Sequence, residues 1–145
     1  IIEYLDETHP QPPLLPATPI ERARARQFAL LVASDVQPLT GLRVMSYLRD
    51  ACRLDVAARR GWFNHWLMEG LDALELWLTA AERGTRYCVS DEPSIADVCL
   101  VPQLAVARRS GIDVEEFPRL AAVEARCLAL PAFIAAGAAP PAPPS

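Results

Sequence analysis

Arginine is the residue type with the most to offer chemically in this chain. A guanidinium presents a planar fork of donors that matches a carboxylate. Two arginines stand in settings other than a solvated surface. Arg43 follows the proline- and glycine-containing run Gln37-Pro38-Leu39-Thr40-Gly41-Leu42. Arg109 closes an apolar helix, where its charge also suits the negative end of the helix dipole. Arg22, Arg24 and Arg26 alternate near a helix start and spread around it as solvated charge, and Arg59 and Arg60 read as surface residues too. The remaining reactive side chains do not assemble into a catalytic set. His9, His65, Cys52, Cys88, Cys99 and Cys127 are irregularly spaced, with no C-x-x-C, so no metal-ligand pattern emerges. No Ser/His/Asp elbow and no Gly-rich phosphate loop is present. The chain offers clamps for a carboxylate without a nucleophile, which is half of a site.

The element that must position Arg109 is the run Glu92-Pro93-Ser94-Ile95-Ala96-Asp97-Val98-Cys99-Leu100-Val101-Pro102-Gln103. Ser94 and Asp97 have the spacing of an N-capping pair, each side chain reaching the other's backbone N–H. Asp97 is read as this structural cap and not as a catalytic acid. Behind the cap, Ile95, Val98, Cys99, Leu100, Val101, Leu104, Ala105 and Val106 leave no wide polar face, so the helix belongs in the middle of a bundle. It extends to about Arg109, with Gly111 as its stop and a bend from Pro102 near Val98.

The other segments read as helices as well. Ile1–Thr8 looks like the last turns of a helix, and the four prolines between His9 and Pro16 make a linker. Thr18-Pro19-Ile20-Glu21 opens a helix with a capping box and proline at its first position. Phe28, Leu31, Val32, Val36 and Leu39 form its stripe, Pro38 kinks it, and Leu42, Val44, Met45 and Leu48 resume it. A long helix runs from about Leu54 to Glu82, stopping near Gly84. Its Trp62, Phe63, Trp66, Leu67, Leu71, Leu74, Trp77 and Leu78 fall three and four apart, as a core face. His65 reads as a structural or surface histidine, and Gly70 as a point of close helix packing. Pro118–Ala129 is a further helix, followed by a short segment at Phe133–Ala136 and a mobile Ala/Pro tail over 137–145. No strand or repeat is evident, so the fold class is all-α.

The chain has 145 residues, 52% of them hydrophobic, and its mean hydropathy is +0.14, which is enough for one domain with a real core. A net charge of −4 and a pI near 5.2 argue against nucleic acid as a partner. No run is long enough to span a membrane, and no signal peptide is visible. The scattered cysteines read as reduced thiols, which points to a cytoplasmic address. The first residue is Ile, so the chain is read as starting inside a larger reading frame or after processing.

Several motifs coincide with one family. Ile1-Ile2-Glu3-Tyr4-Leu5, Leu14-Leu15-Pro16, Gln37-Pro38-Leu39, Leu42-Arg43-Val44, Trp62-x-x-His65-Trp66, Ala73-Leu74-Glu75 and the stretch from Ser94 to Gln103 occur in this order. Over nearly the whole chain, the tail excepted, this resembles the zeta-class glutathione transferases, among them the bacterial maleylacetoacetate and maleylpyruvate isomerases. The resemblance implies a two-domain, homodimeric enzyme of the cytoplasm acting in the breakdown of aromatic compounds. Residues 1–9 correspond to the last helix of a thioredoxin-like domain, 10–18 to the linker and 19–136 to the helical domain. The implied cofactor is glutathione, and the implied substrate is a small dicarboxylate whose cis double bond becomes trans by thiol addition, rotation and elimination.

By the same resemblance, Arg43 and Arg109 match the substrate-pocket arginines. Gln37, Gly41, Leu42 and Arg43 match the wall beside glutathione. The Ser-Ser-Cys segment that activates the thiol lies upstream, so no catalytic residue is expected here and the piece alone is expected to be inactive. Gly41 and Val106 each replace an asparagine common in the family, and the contacts of those side chains are lost. Two other readings stay open: conjugation of glutathione to small electrophiles such as α-halo acids, and a non-catalytic helical interaction module.

Overall fold

Helix α6 (Ile95–Arg109) packs against the segments 19–36 and 114–128, and its buried residues include Ile95, Ala96, Leu100, Leu104 and Ala107. The computed structural model describes residues 1–81 and 84–137. Before α6 come α1 (Ile2–Thr8), α2 (Pro19–Leu30), a π-helical stretch (Leu31–Val36), α3 (Gln37–Thr40), α4 (Leu42–Asp50) and α5 (Val56–Ala81). After it come a 3₁₀ turn (Val114–Glu116), α7 (Pro118–Leu128) and α8 (Pro131–Ala135). Among the described residues there is no strand, and the fold is all-α as the periodicity implies. Glu82, the expected end of α5, and the tail beyond Gly137 lie outside the described residues. No described helix is long and apolar enough to cross a membrane.

The core is built from the stripes legible in the sequence. Phe28 and Val32 from the first long helical run, Leu67, Leu71 and Leu74 from α5, Leu100 and Leu104 from α6, and Leu120 and Cys127 from α7 are all fully buried. The aromatic residues of α5 take a different place from the one expected. Trp62, Phe63, Trp66 and Trp77 are each half-buried at the rim, while the leucines fill the centre. An indole is large and carries an N–H, which suits an edge position. Trp77 meets Phe28 edge-on at 5.2 Å, and Trp62 Nε1 donates to the Leu39 carbonyl at 2.9 Å.

Gly70 has its explanation in the neighbouring π-helical stretch. A Cβ on Gly70 would lie 2.2 Å from Val36 Cγ2, so the two backbones approach as only glycine allows. The expected kink at Pro38 also takes another form. The helix widens ahead of the proline, with the Gln37 N–H reaching the Val32 carbonyl, and it breaks at Gly41 (φ −70°, ψ 156°). Proline has no N–H to continue an α-helical ladder, and its ring crowds the carbonyl four residues back; a widened turn relieves both.

Two side-chain carboxylates join distant elements. Asp6 of α1 accepts from the Leu14 N–H, while the Leu14 carbonyl accepts from Ile95 N at 3.0 Å, so one linker residue ties α1 to the start of α6. Glu75 of α5 accepts from Arg119 N and Leu120 N, both at 3.0 Å. It caps α7, whose own N-terminal residue Phe117 has no side chain able to do so.

Candidate functional site

The two ends of α6 are closed by local chemistry. At its start Ser94 is extended (φ −135°, ψ 179°), and the reciprocal capping box forms. Asp97 Oδ2 accepts from Ser94 N at 2.8 Å and from Ser94 Oγ at 3.0 Å, and Ser94 Oγ accepts from Ala96 N at 3.3 Å. Asp97 Oδ1 accepts in addition from Cys88 N at 3.0 Å, a bond outside the helix altogether. Both Ser94 and Asp97 are fully buried, and every hydrogen bond of the carboxylate serves the fold. The structural reading of this pair therefore holds.

At the far end Gly111 takes φ +84°, with Ile112 N bonded to the Ala107 carbonyl and Gly111 N to that of Arg108. This is a Schellman closure, and it stops the helix one residue past Arg109 and Ser110. Successive helical residues point about 100° apart, so the last two arginines part company. Arg108 turns to α7, where it pairs with the buried Glu124 at 2.6 Å. Arg109 is exposed, and no described carboxylate lies within ion-pair distance of it.

Arg109 borders two clefts. One, of about 530 Å³, runs along the face of α6 formed by Val98, Pro102 and Ala105, with Leu14 and Phe133 opposite. That face corrects the expectation of a helix enclosed all round, because Pro102 is exposed there. The other, of about 450 Å³, opens between α4, α5 and the end of α6. Met45, Val56 and Phe63 line it, together with Arg59, Arg60 and Arg109. Sequence spacing gave no reason to join Arg59 and Arg60 to Arg109, since they stand on different helices; tertiary packing does so.

The other expected site residues lie on the α3–α4 corner. Gln37, Leu42 and Arg43 are exposed, Leu42 at 81%, and Gly41 forms the extended joint between them. The side chains of Gln37 and Arg43 make no hydrogen bond or ion pair with another described residue, and Arg43 borders neither of the clefts that Arg109 borders. Gly41 stands at the N-cap of α4 and provides no side-chain cap, which is the contact an asparagine there would supply.

Three of the four cysteines, Cys88, Cys99 and Cys127, are poor nucleophiles. Cys88 and Cys127 are buried close to Asp97, and Cys99 is half-buried. Burial and the Asp97 charge push the Cys88 thiol far up and that of Cys127 up to about 12, while burial alone raises Cys99. Thiols held protonated in this way are unreactive at neutral pH. His65 is exposed and stacks edge-on against Trp66 at 4.9 Å, in keeping with a surface role.

Comparison with known proteins places these features in a family. Residues 66–131 match the model of the glutathione S-transferase C-terminal domain. A probable maleylacetoacetate isomerase of Vibrio cholerae is 42% identical over 135 residues, covering 92% of this chain and 61% of the relative. The chain spans about six-tenths of the length of the curated relatives it matches.

Among solved structures, maleylpyruvate isomerase from Pseudomonas aeruginosa superposes with a TM-score of 0.85 at 45% identity, over 93% of this chain and 70% of that one. The holo structure of a maleyl pyruvate isomerase described as a bacterial zeta-class glutathione S-transferase gives 0.87 at 39% identity, over 95% and 66% of the two chains. Maleylacetoacetate isomerase from Anaeromyxobacter dehalogenans, with dicarboxyethyl glutathione and citrate bound in its active site, gives 0.83 at 40% identity over 98% and 63%. The helical architecture, the buried cap on α6 and these similarities agree: the chain belongs to the zeta class of glutathione S-transferases, and it carries their C-terminal helical domain.

Proposed function

We propose that this chain is the substrate-side domain of a glutathione-dependent cis–trans isomerase acting on a short unsaturated dicarboxylate, either maleylacetoacetate or maleylpyruvate. The observation that carries the reading is Arg109, exposed and unpaired among the described residues at the mouth of two clefts and anchored at the end of a buried helix. The names of the relatives support it, as do the glutathione adduct and citrate bound to one of them. Glutathione, when bound, supplies the thiol that adds across the cis double bond and is eliminated after rotation.

This chain's residues bind and orient. Arg109 grips a substrate carboxylate through its planar fork, and because α6 is held by the core, the grip needs little reorganisation. The Gln37 amide and Arg43 guanidinium flank the extended Gly41 as free donors, and they fit the carboxylates of a tripeptide. In this reading α1, tied to α2 by the Glu3–Arg26 pair at 2.8 Å, is the last helix of a glutathione-binding domain, and that domain activates the thiol. Pairing of intact chains into a homodimer and a cytoplasmic address belong to the same proposal.

The test is turnover of maleylacetone with glutathione by the intact enzyme. Arg109→Ala lowers kcat/KM by about 1.5–3 kcal/mol of transition-state stabilisation, the range for a hydrogen bond to a charged group. An unchanged kcat/KM removes Arg109 from the site.

A further inference from the structure

The cleft between α4, α5 and the end of α6 holds more positive charge than its own packing explains. Arg60 reaches the turn that closes α6: its Nη2 lies 3.5 Å from where a Cβ on Gly111 would stand. Neither Arg60 nor Arg109 has a described carboxylate within 4.0 Å, whereas Arg26, Arg49 and Arg108 pair with Glu3, Asp50 and Glu124. Arg59 shares the wall but is partly engaged. Its Nε donates to the Asp55 carbonyl at 3.2 Å, and its charge adds to the Arg49 hydrogen bonds that hold the Asp50 carboxyl below its ordinary range.

None of Arg59, Arg60 and Arg109 has a described carboxylate within ion-pair distance, so three guanidiniums share one opening, Arg59 with one N–H already given to a carbonyl, in a chain whose net charge is −4. No described acidic side chain borders the cleft, and an anion seated at its opening would be attracted by these cations. The half-buried Met45 and Phe63, with the exposed Val56, give the same cleft an apolar lining. A cleft of about 450 Å³ lined by both guanidiniums and apolar side chains suits a small organic acid better than a fully hydrated inorganic anion.

We propose that Arg60 is a specificity-determining residue: with Arg109 it holds one carboxylate of a small dicarboxylic acid, whose carbon chain lies over Met45, Val56 and Phe63. The assignment rests on the reading of Arg109 as a carboxylate clamp. It adds a second clamp on α5, which sequence spacing assigned to the solvated surface.

The experiment is calorimetric titration of the full chain with maleate and with monomethyl maleate at low ionic strength. It is run on the wild type, Arg60→Gln, Arg60→Lys, Arg109→Gln and, as a charge control, the exposed Arg119→Gln. Circular dichroism melts confirm that each variant is folded. The proposal expects Arg60→Gln to weaken maleate about tenfold and to erase the preference for the diacid over the monoester. Arg60→Lys restores part of both, because the charge returns without the fork. Arg119→Gln leaves both unchanged. Maleate affinity unchanged in Arg60→Gln but lost in Arg109→Gln overturns the role of Arg60 and leaves the Arg109 reading standing. A wild type that does not bind maleate, or variants that all bind alike, overturns the assignment of Arg60 and the clamp reading beneath it.

Discussion

The two ends of α6 carry charge for opposite purposes. At the N-terminal end one carboxylate, Asp97, is fully buried and accepts from Ser94 N, Ser94 Oγ and Cys88 N. At the C-terminal end Arg109 is exposed, unpaired among the described residues and opposite another unpaired arginine. A buried charge is tolerated only when its hydrogen bonds are complete, and completing them leaves nothing to offer a ligand. An exposed charge contributes little to folding and keeps its full capacity to bind. One helix therefore anchors the fold with its first turn and leaves on its last an exposed cation, unpaired among the described residues.

The largest expected effect tests the anchored end. Asp97→Ala strands three donors in a dry interior and should cost about 3 kcal/mol of unfolding free energy, read from the urea midpoint of the full chain. A loss below about 1 kcal/mol would mean that Asp97 is not the hub of this end. Glu124→Gln tests the boundary between the two regimes. Glu124 is 4% exposed and its partner Arg108 26%, so the neutral amide should cost about 1–2 kcal/mol by urea denaturation, less than the loss at Asp97.

The thiols around Asp97 give the same end a pH signature. Their folded-state pKa values are raised, Cys127 to about 12 from an ordinary 9.0, so the folded chain holds protons that the unfolded chain releases. The Cys127 contribution is complete below about pH 9 and is lost as pH rises toward 12, at no more than about 1.4 kcal/mol per pH unit, and the Cys88 thiol acts in the same direction. Cys127→Ala should make the alkaline slope of stability shallower; an identical slope would break the link between that thiol and its surroundings. The smallest effect belongs to the opposite end. Arg109→Ala, proposed above to lower kcat/KM in the intact enzyme, should change unfolding free energy by less than about 0.5 kcal/mol. A loss as large as that of Asp97→Ala would erase the contrast between the two ends.

Legibility in the sequence follows the range of each interaction. The Ser94–Asp97 cap spans one helical turn, so spacing alone exposed it, and the Gly111 stop was readable for the same reason. Gly70 announced a close approach without saying to what; Val36 is the answer, and it belongs to a stretch whose widening no propensity scale signals. The Cys88 N–H that completes Asp97 comes from a preceding loop, and Glu75 caps a helix 44 residues downstream. Neither has a local signature. Arg59 and Arg60 read as surface residues, and Arg60 is exposed; what has no local signature is that they share a cleft with Arg109.

What the sequence determined by itself was the set of helices, their buried stripes, the caps at both ends of α6 and, through its ordered motifs, the family. Each is an interaction between residues a few positions apart or a pattern repeated along the chain. Tertiary structure alone decided that α6 keeps one face open and that Arg108 pairs with Glu124 while Arg109 stays exposed without a described partner. It also decided that Arg60 of α5 stands beside Arg109. Those outcomes depend on how helices distant in sequence pack, and packing joins surfaces whose proximity is written in no single stretch of the chain.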